Sequence, residues 1–244
     1  MKYMTALITG GGTGIGRATA LRLAAQGCAC VVNYSRSEHE AAETVRAIQL
    51  QGGDAVAVQA DVSDEAAVNA MVKQVTERYG RLDFLVNNAG KTVFVPMDRL
   101  YQLFDEHWDS ILNVNVKGTF LVSRACSSLL SKSGGAIVNV SSIAGRIGRG
   151  SSIPYCVSKG GVDALTKCLA RVLAPEVRVN GVAPGIVETR WVEGHEHHVK
   201  LQSEGTPLKR VCTPDEVAEV IVALLIDAAF VTGQIITVDG GFTM

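Results

Sequence analysis

Tyr155 and Lys159 stand four residues apart in Tyr155-Cys156-Val157-Ser158-Lys159. On a helix that spacing stacks both side chains on one face, about one turn or 6 Å apart. An ammonium beside a phenol stabilises the phenolate and lowers its pKa from the usual value of about 10. A tyrosine tuned in this way can act as general acid and base closer to neutral pH. The same spacing also describes an exposed pair at a helix start, so the chemistry depends on what stands around it. Upstream, Ile137-Val138-Asn139-Val140-Ser141-Ser142 ends an apolar run on two hydroxyls, either of which could hydrogen-bond a polarised oxygen. Near the start, Thr9-Gly10-Gly11-Gly12-Thr13-Gly14-Ile15-Gly16 follows the apolar Ala6-Leu7-Ile8 and opens a stretch with helical periodicity. Its glycines let the backbone approach a pyrophosphate, and a helix N-terminus there offers unpaired N–H groups and a favourable dipole. The spacing is T-G-x-x-x-G-x-G, not the common G-x-G-x-x-G dinucleotide fingerprint.

These residues need elements to hold them, and the hydrophobic pattern supplies an alternation. Short apolar runs fall at Met4–Ile8, Cys28–Val32, Ala55–Val58, Phe84–Val86, Ala136–Val140, Val177–Val182 and Ile235–Val238. Amphipathic stretches intervene at about Ile15–Gln26, Glu38–Gln51, Asp64–Tyr79, Glu106–Ser131, Tyr155–Leu173 and Thr213–Leu225. Buried strands separated by helices predict an α/β fold: a doubly wound, Rossmann-type, seven-stranded parallel sheet with helices on both faces. Ligands of such sheets bind at the carboxyl ends of the strands. No linker, repeat or low-complexity tract interrupts the pattern, so residues 1–244 are expected to form one dinucleotide-binding and catalytic domain. The segment of about 188–211 is charged, His-rich and weakly periodic, and reads as a substrate lid.

Composition narrows the function. With 47% hydrophobic and 19% charged residues the chain is globular rather than disordered. A net charge of −1 argues against a nucleic-acid partner. No apolar run reaches the length of a membrane span, and the first strand follows Met1-Lys2-Tyr3 directly. The expectation is a cytoplasmic protein with no membrane partner. Six cysteines in such a chain do not make a disulfide framework, and Cys28-x-Cys30 lacks the spacing of a zinc site. His195, His197 and His198 with Glu193 and Glu196 do not match H-E-x-x-H either, so no metal is expected.

Several stretches bear on a dinucleotide. An acidic residue about 20 positions past the glycines would bind the adenosine ribose hydroxyl, whereas an Arg there accommodates a 2′-phosphate. Asn33-Tyr34-Ser35-Arg36 carries no acid and one cation, which favours NADP(H) while leaving NAD(H) open; Glu38 is the residue that could reverse this. Asp61-Val62 closes the third strand, where a carboxylate could accept the adenine amino group, and Ser63 reads as part of a helix cap. Asn87-Asn88-Ala89-Gly90 leaves the fourth strand with two amides that must be satisfied, tying strand ends together and lining the cofactor cleft.

Taken together, these stretches resemble the short-chain dehydrogenase/reductase family in its single-domain form. The matching pieces run from Thr9 to Gly241: Thr9–Gly16, Asp61-Val62, Asn87–Gly90, Asn115-Val116-Lys117-Gly118, Ser142, Tyr155-x-x-x-Lys159, Pro184-Gly185 with Thr189, and Val238-Asp239-Gly240-Gly241. The resemblance implies that Tyr155 exchanges a proton with the carbonyl or alcohol oxygen, while Lys159 lowers its pKa and holds the nicotinamide ribose. It implies that Ser142, thirteen positions before the tyrosine and preferred on that count to Ser141, binds the substrate oxygen. Asn115 would hold a water in a proton relay. Gly10, Thr13, Gly14, Ile15 and Gly16 would form the pyrophosphate turn, with Asp61 and Val62 at adenine and Asn88, Ala89 and Gly90 lining the cleft. Pro184, Gly185, Ile186 and Thr189 would lie at the nicotinamide, the last two against its carboxamide.

Two departures stand out. The interval through Met97–Asp105 is longer than in compact members, and Thr13 stands where many NADP-using relatives carry a basic residue. The general resemblance is to 3-oxoacyl-(acyl-carrier-protein) reductases and to related sugar, polyol and secondary-alcohol dehydrogenases. It implies a small carbonyl or alcohol substrate, free or as a carrier-bound acyl chain, and a homotetramer built on Glu106–Ser131 and Val238–Met244. Arg124, Arg146, Arg149 and Arg171 are candidates to meet an acidic carrier. Ala144–Ile153, Lys91–Met97 and Glu188–Leu208 are expected to face the substrate, with Val93, Phe94, Ile147, Trp191 and Val192 making the pocket partly apolar. A rival reading from another class is an NADP(H)-binding sensor or scaffold without turnover.

Overall fold

In the computed structural model, the described residues are 4–192, 194 and 196–244, the last range without the side chains of 196–198. Of the histidine-rich cluster, Glu193, His195 and the side chains of Glu196, His197 and His198 therefore lie outside the described residues, as do Met1, Lys2 and Tyr3.

The apolar runs become strands β1 (Thr5–Ile8), β2 (Ala29–Tyr34), β3 (Ala55–Gln59), β4 (Phe84–Asn87), β5 (Ala136–Val140), β6 (Arg178–Pro184) and β7 (Ile235–Val238). They pair in parallel in the order β3-β2-β1-β4-β5-β6-β7. Along β1 the side chains alternate between two cores, as the period of a strand requires. Ala6 and Ile8 join a cluster with α1 (Gly14–Ala25), α2 (Glu38–Leu50) and α9 (Pro214–Ile226). Leu7 joins the opposite cluster with α3 (Glu65–Tyr79), α5 (Thr119–Ser133) and α7 (Ile153–Leu173). Both faces are thus covered, which explains why the strands read as unbroken apolar runs.

The order reverses at β1, whose two neighbours β2 and β4 lead the chain outward in opposite directions. Such a reversal opens a crevice at the carboxyl ends of the strands. The glycine turn leaves β1 there, Asn87–Gly90 leaves β4, Ser141-Ser142 leaves β5, and Gly185 leaves β6.

Helix boundaries follow local chemistry. Asp64 caps α3 by accepting from Ala66 N at 2.8 Å, and Gly80 closes it at φ 68°. Ser63, expected in that cap, instead donates to Asp61 Oδ1 at 2.6 Å. Ser152 caps α7 with Pro154 in its first turn, and Thr213 with Glu216 forms a reciprocal capping box on α9. The stretch Glu106–Ser131, expected as one helix, is α4 (Asp105–Leu112), a π-helical turn at Asn113–Gly118, then α5. A π turn admits an extra residue without ending the helix, and its recurrence at functional sites gives it interest here. The lid segment, read as weakly periodic, contains a 3-10 turn at Arg190–Val192 and α8 (Glu196–Gly205). A short helix α6 (Ala144–Ile147) also precedes α7.

Candidate active site

A cleft of about 1100 Å³ runs along the carboxyl ends of the strands. That exceeds the usual range for a single drug-sized ligand and leaves room for two reactants side by side. At one end the glycine turn is held from β4. Asn88 Nδ2 donates to the carbonyls of Thr9 and Gly10 at 3.0 Å each, and the Thr9 hydroxyl accepts from Asn88 N and Ala89 N. Gly10 and Gly14 adopt φ of 60° and 50°, a region that disfavours side chains. Gly16 packs directly on the Gly10 carbonyl, and a Cβ there would come within 2.6 Å of Asn88 Nδ2. Gly16 therefore closes the turn from behind, while Gly10, Thr13, Gly14 and Ile15 line the cleft itself. A glycine-lined backbone cradle at a helix N-terminus, with the Thr189 methyl beside Gly14, fits a pyrophosphate.

Beyond the turn, Tyr34, Ser35, Arg36, Asp61 and Val62 form the far end of the cleft. Asn33 also lines it, but its amide is engaged structurally: Nδ2 donates to Ala60 O at 3.0 Å and Oδ1 accepts from Gly10 N at 3.4 Å. Asp61 is held below the usual carboxylate range by the Ser63 hydroxyl, with further help from the charges of Arg36 and Lys91. Burial and the nearby Glu38 carboxylate raise the Tyr34 phenol pKa, and Glu38 does not line the cleft. Arg36 is exposed at the rim.

At the other end stand Tyr155 and Lys159, one helical turn apart on α7, with the ammonium 5.7 Å from the phenol ring centroid. Lys159 is buried and donates to Val140 O at 2.8 Å, and burial drives its pKa down to about 8. The phenol does not show the lowering expected from Lys159. Burial pushes Tyr155 up to about 12, and the nearby Ser142 hydroxyl opposes the rise. The ammonium lies over the ring and is turned to the β5 carbonyl, while the Ser142 hydroxyl, beside the phenol, donates to Pro184 O at 3.4 Å. Ser142 is steadied by Ala144 N at 3.2 Å. Ser141 turns the other way and donates to Lys159 O at 3.1 Å.

Asn115 does not line the cleft. The π turn delivers its amide behind the wall, where Oδ1 accepts from Lys91 N at 2.7 Å and Nδ2 donates to Lys91 O at 3.0 Å and to Ser158 Oγ at 2.9 Å. It thereby pins the loop after β4 to the helix that carries Tyr155 and Lys159. Asn87 similarly bridges β4 to β5 and α5, donating to Asn139 Oδ1 at 2.9 Å and Ser123 Oγ at 3.0 Å.

Ala89, Gly90, Pro184, Gly185, Ile186 and Thr189 line the middle of the cleft. The segment after Thr189 crosses it. Arg190 donates to Glu40 Oε1 and Ser37 Oγ, both at 3.0 Å, and Trp191 meets Tyr155 edge-on with centroids 6.0 Å apart. Arg190, Ser37 and Phe242 are lining residues that sequence reasoning did not single out; an Arg immediately after Thr189 was the available signal. Among the described residues no group of histidine, cysteine and acidic side chains could hold a metal ion, and no helix is long and apolar enough to cross a membrane.

A family model described as enoyl-(acyl carrier protein) reductase matches residues 10–243. The chain is 45% identical over 240 residues to a Streptomyces violaceoruber protein named as ketoacyl reductase 2 of the granaticin polyketide synthase, covering 97% of this chain and 94% of that one. It is 41% identical over 243 residues to a 3-oxoacyl-[acyl-carrier-protein] reductase of Synechocystis, covering 98% and 96%. A solved Burkholderia xenovorans structure named as a short-chain dehydrogenase/reductase superposes with a TM-score of 0.94 at 36% identity, covering 99% and 98%. The chain belongs to the short-chain dehydrogenase/reductase family. It is an oxidoreductase that interconverts carbonyls and alcohols, and its cofactor is a nicotinamide dinucleotide.

Proposed function

We infer that the protein is an NADPH-dependent reductase of 3-oxoacyl thioesters, using Tyr155 as the proton donor. The observation that carries the chemical part is the convergence of the Ser142 hydroxyl and the Tyr155 phenol on the cleft, with buried Lys159 one turn away. The bound nicotinamide supplies or accepts the hydride. The rest is the work of the chain. Gly10, Gly14 and the α1 N-terminus hold the pyrophosphate, and Asp61 and Val62 take the adenine. Thr189 and Ile186 orient the nicotinamide end, and Lys159 binds its ribose. Ser142 donates a hydrogen bond to the substrate carbonyl, stabilising the charge that grows on oxygen. Tyr155 then delivers its proton to that oxygen. Asn115 is a positioning residue, and the three bonds of its amide leave one acceptor lone pair for the water of a relay.

NADPH is favoured over NADH by Arg36, exposed at the adenosine end, with Glu38 outside the cleft lining. The thioester assignment draws on the names of the relatives and on the apolar wall of Phe94, Met97, Ile147 and Trp191. Oxidation of NADPH and of NADH, followed across a panel of carbonyls that includes acetoacetyl thioesters, tests the assignment. Reduction of the thioesters with NADPH faster than with NADH is expected; turnover of sugars or simple ketones alone would overturn the substrate, and a preference for NADH the cofactor. The exposed Phe120 on α5, with Ile236 and Phe230 around the β7 edge, fits burial in a homotetramer. Sedimentation as a tetramer is the expected result, and a monomer at micromolar concentration would contradict it.

A further inference from the structure

Four exposed arginines could meet an anionic partner, and the structure separates them. Arg124 pairs with Glu65 at 2.5 Å and lies over the Phe120 ring. Arg146 is engaged on three sides, by Asp163 at 3.2 Å, Thr237 Oγ1 at 2.6 Å and Ile235 O at 2.9 Å. Arg171 lies outside the cleft. Arg149 lines the cleft, is exposed, and has no carboxylate partner among the described residues.

The backbone that carries Arg149 is fixed on both sides. Gly148 ends α6 at φ 63°. Gly150 packs so closely that a Cβ would touch Tyr155 Cδ1 at 3.4 Å and Cys156 Sγ at 3.0 Å. Ser151 shares a hydrogen bond with Thr92 Oγ1 at 2.5 Å and accepts from Val95 N at 2.9 Å. Ser152 then caps the helix that carries the catalytic tyrosine. Arg149 is thus mounted at a set displacement from the reacting centre.

Its surroundings make the charge stand out. Arg36 and Lys91 act on Asp61 at the adenosine end, Arg190 is held by Glu40 and Ser37, and Lys159 is buried against β5. Phe94, Met97, Ile147, Trp191 and Leu201 line the same cleft, and Arg149 is an exposed cation beside them with no carboxylate partner among the described residues. A purely apolar substrate has no use for that cation. A substrate whose carbonyl sits at Tyr155 and whose oxyanion lies further along the same molecule would engage both.

We propose that Arg149 binds the phosphate of a phosphopantetheine arm, so that the enzyme recognises its acyl group as a carrier-type thioester and not as a bare ketone. The proposal rests on the 3-oxoacyl thioester reading and adds a residue and an anion to it. An Arg presents a planar fork that suits phosphate, and a contact at the exposed mouth of a cleft is charge-assisted yet screened by salt.

Two substrates differing by the phosphate alone provide the test: the acetoacetyl thioesters of pantetheine and of 4′-phosphopantetheine. KM for the phosphorylated thioester is expected to be about five- to tenfold lower at low salt, the scale of one partly exposed charge-assisted contact, with similar kcat. In Arg149→Ala the ratio of the two KM values collapses to about one, and Arg149→Lys retains most of it. Added salt should shrink the ratio in the wild type and leave it unmoved in the alanine variant. A wild-type ratio of one, or a ratio that survives Arg149→Ala, overturns the proposal while leaving the thioester reading intact. Reduction of neither thioester by a protein that reduces other carbonyls removes the reading itself and the proposal with it.

Discussion

At the scale of single residues, burial shifts two neighbours of the proposed site in opposite directions. Burial holds the Tyr155 proton on, up to about 12, and strips the Lys159 proton, down to about 8. In the reducing direction the phenol must be protonated, and it stays so over the working range. The ammonium is present below about pH 8 and is lost as pH rises through that value. The kcat/KM for carbonyl reduction should therefore fall above about pH 8, and Lys159→Met should abolish that inflection along with most of the activity. A profile that stays flat to pH 10 would contradict the assignment. The roles of Tyr155 and Ser142 come from the family resemblance, with the thirteen-residue interval selecting Ser142 over Ser141. The direction of the Tyr155 shift follows from neither, because spacing along a helix says that two side chains are neighbours but not that the ammonium faces the ring and a β5 carbonyl.

At the scale of elements, the glycine turn is a joint between β1, α1 and β4. The T-G-x-x-x-G-x-G string is legible in sequence, yet it does not tell which glycine meets phosphate and which meets protein. Gly16 belongs to the second group, since its position is filled by the Gly10 carbonyl and the Asn88 amide. Gly16→Ala should force the turn open, costing about 1–3 kcal/mol of stability by overpacking and weakening NADPH binding about tenfold or more. Thermal unfolding and fluorescence titration with NADPH measure both, and a variant unchanged in both would show that the turn is looser than described. The π turn at Asn113–Gly118 was hidden for a related reason. An amphipathic stretch from Glu106 to Ser131 has the same apolar period whether or not one extra residue is accommodated within it. The extra residue becomes apparent only when the Asn115 amide is seen bonded to Lys91 and Ser158.

At the scale of the whole molecule, the seven strands and their flanking helices could be read from alternating apolar runs because a doubly covered parallel sheet tolerates little else. The crossing of the cleft by Thr189–Trp191 could not, since it depends on Arg190 reaching Ser37 and Glu40 some 150 residues earlier in the chain. That crossing spans the cleft from Ser37 and Glu40 at one end to Tyr155 at the other, where Trp191 meets it. The whole arrangement has one central claim, that the phenol of Tyr155 gives its proton to the carbonyl while the rest of the cleft binds and orients. The most direct measurement is single-turnover reduction of acetoacetyl thioester by NADPH in the wild type and in Tyr155→Phe, with NADPH affinity measured on both. Loss of the chemical step by about a hundredfold or more, at unchanged NADPH affinity, is the predicted result. A phenylalanine variant that turns over at the wild-type rate would contradict it.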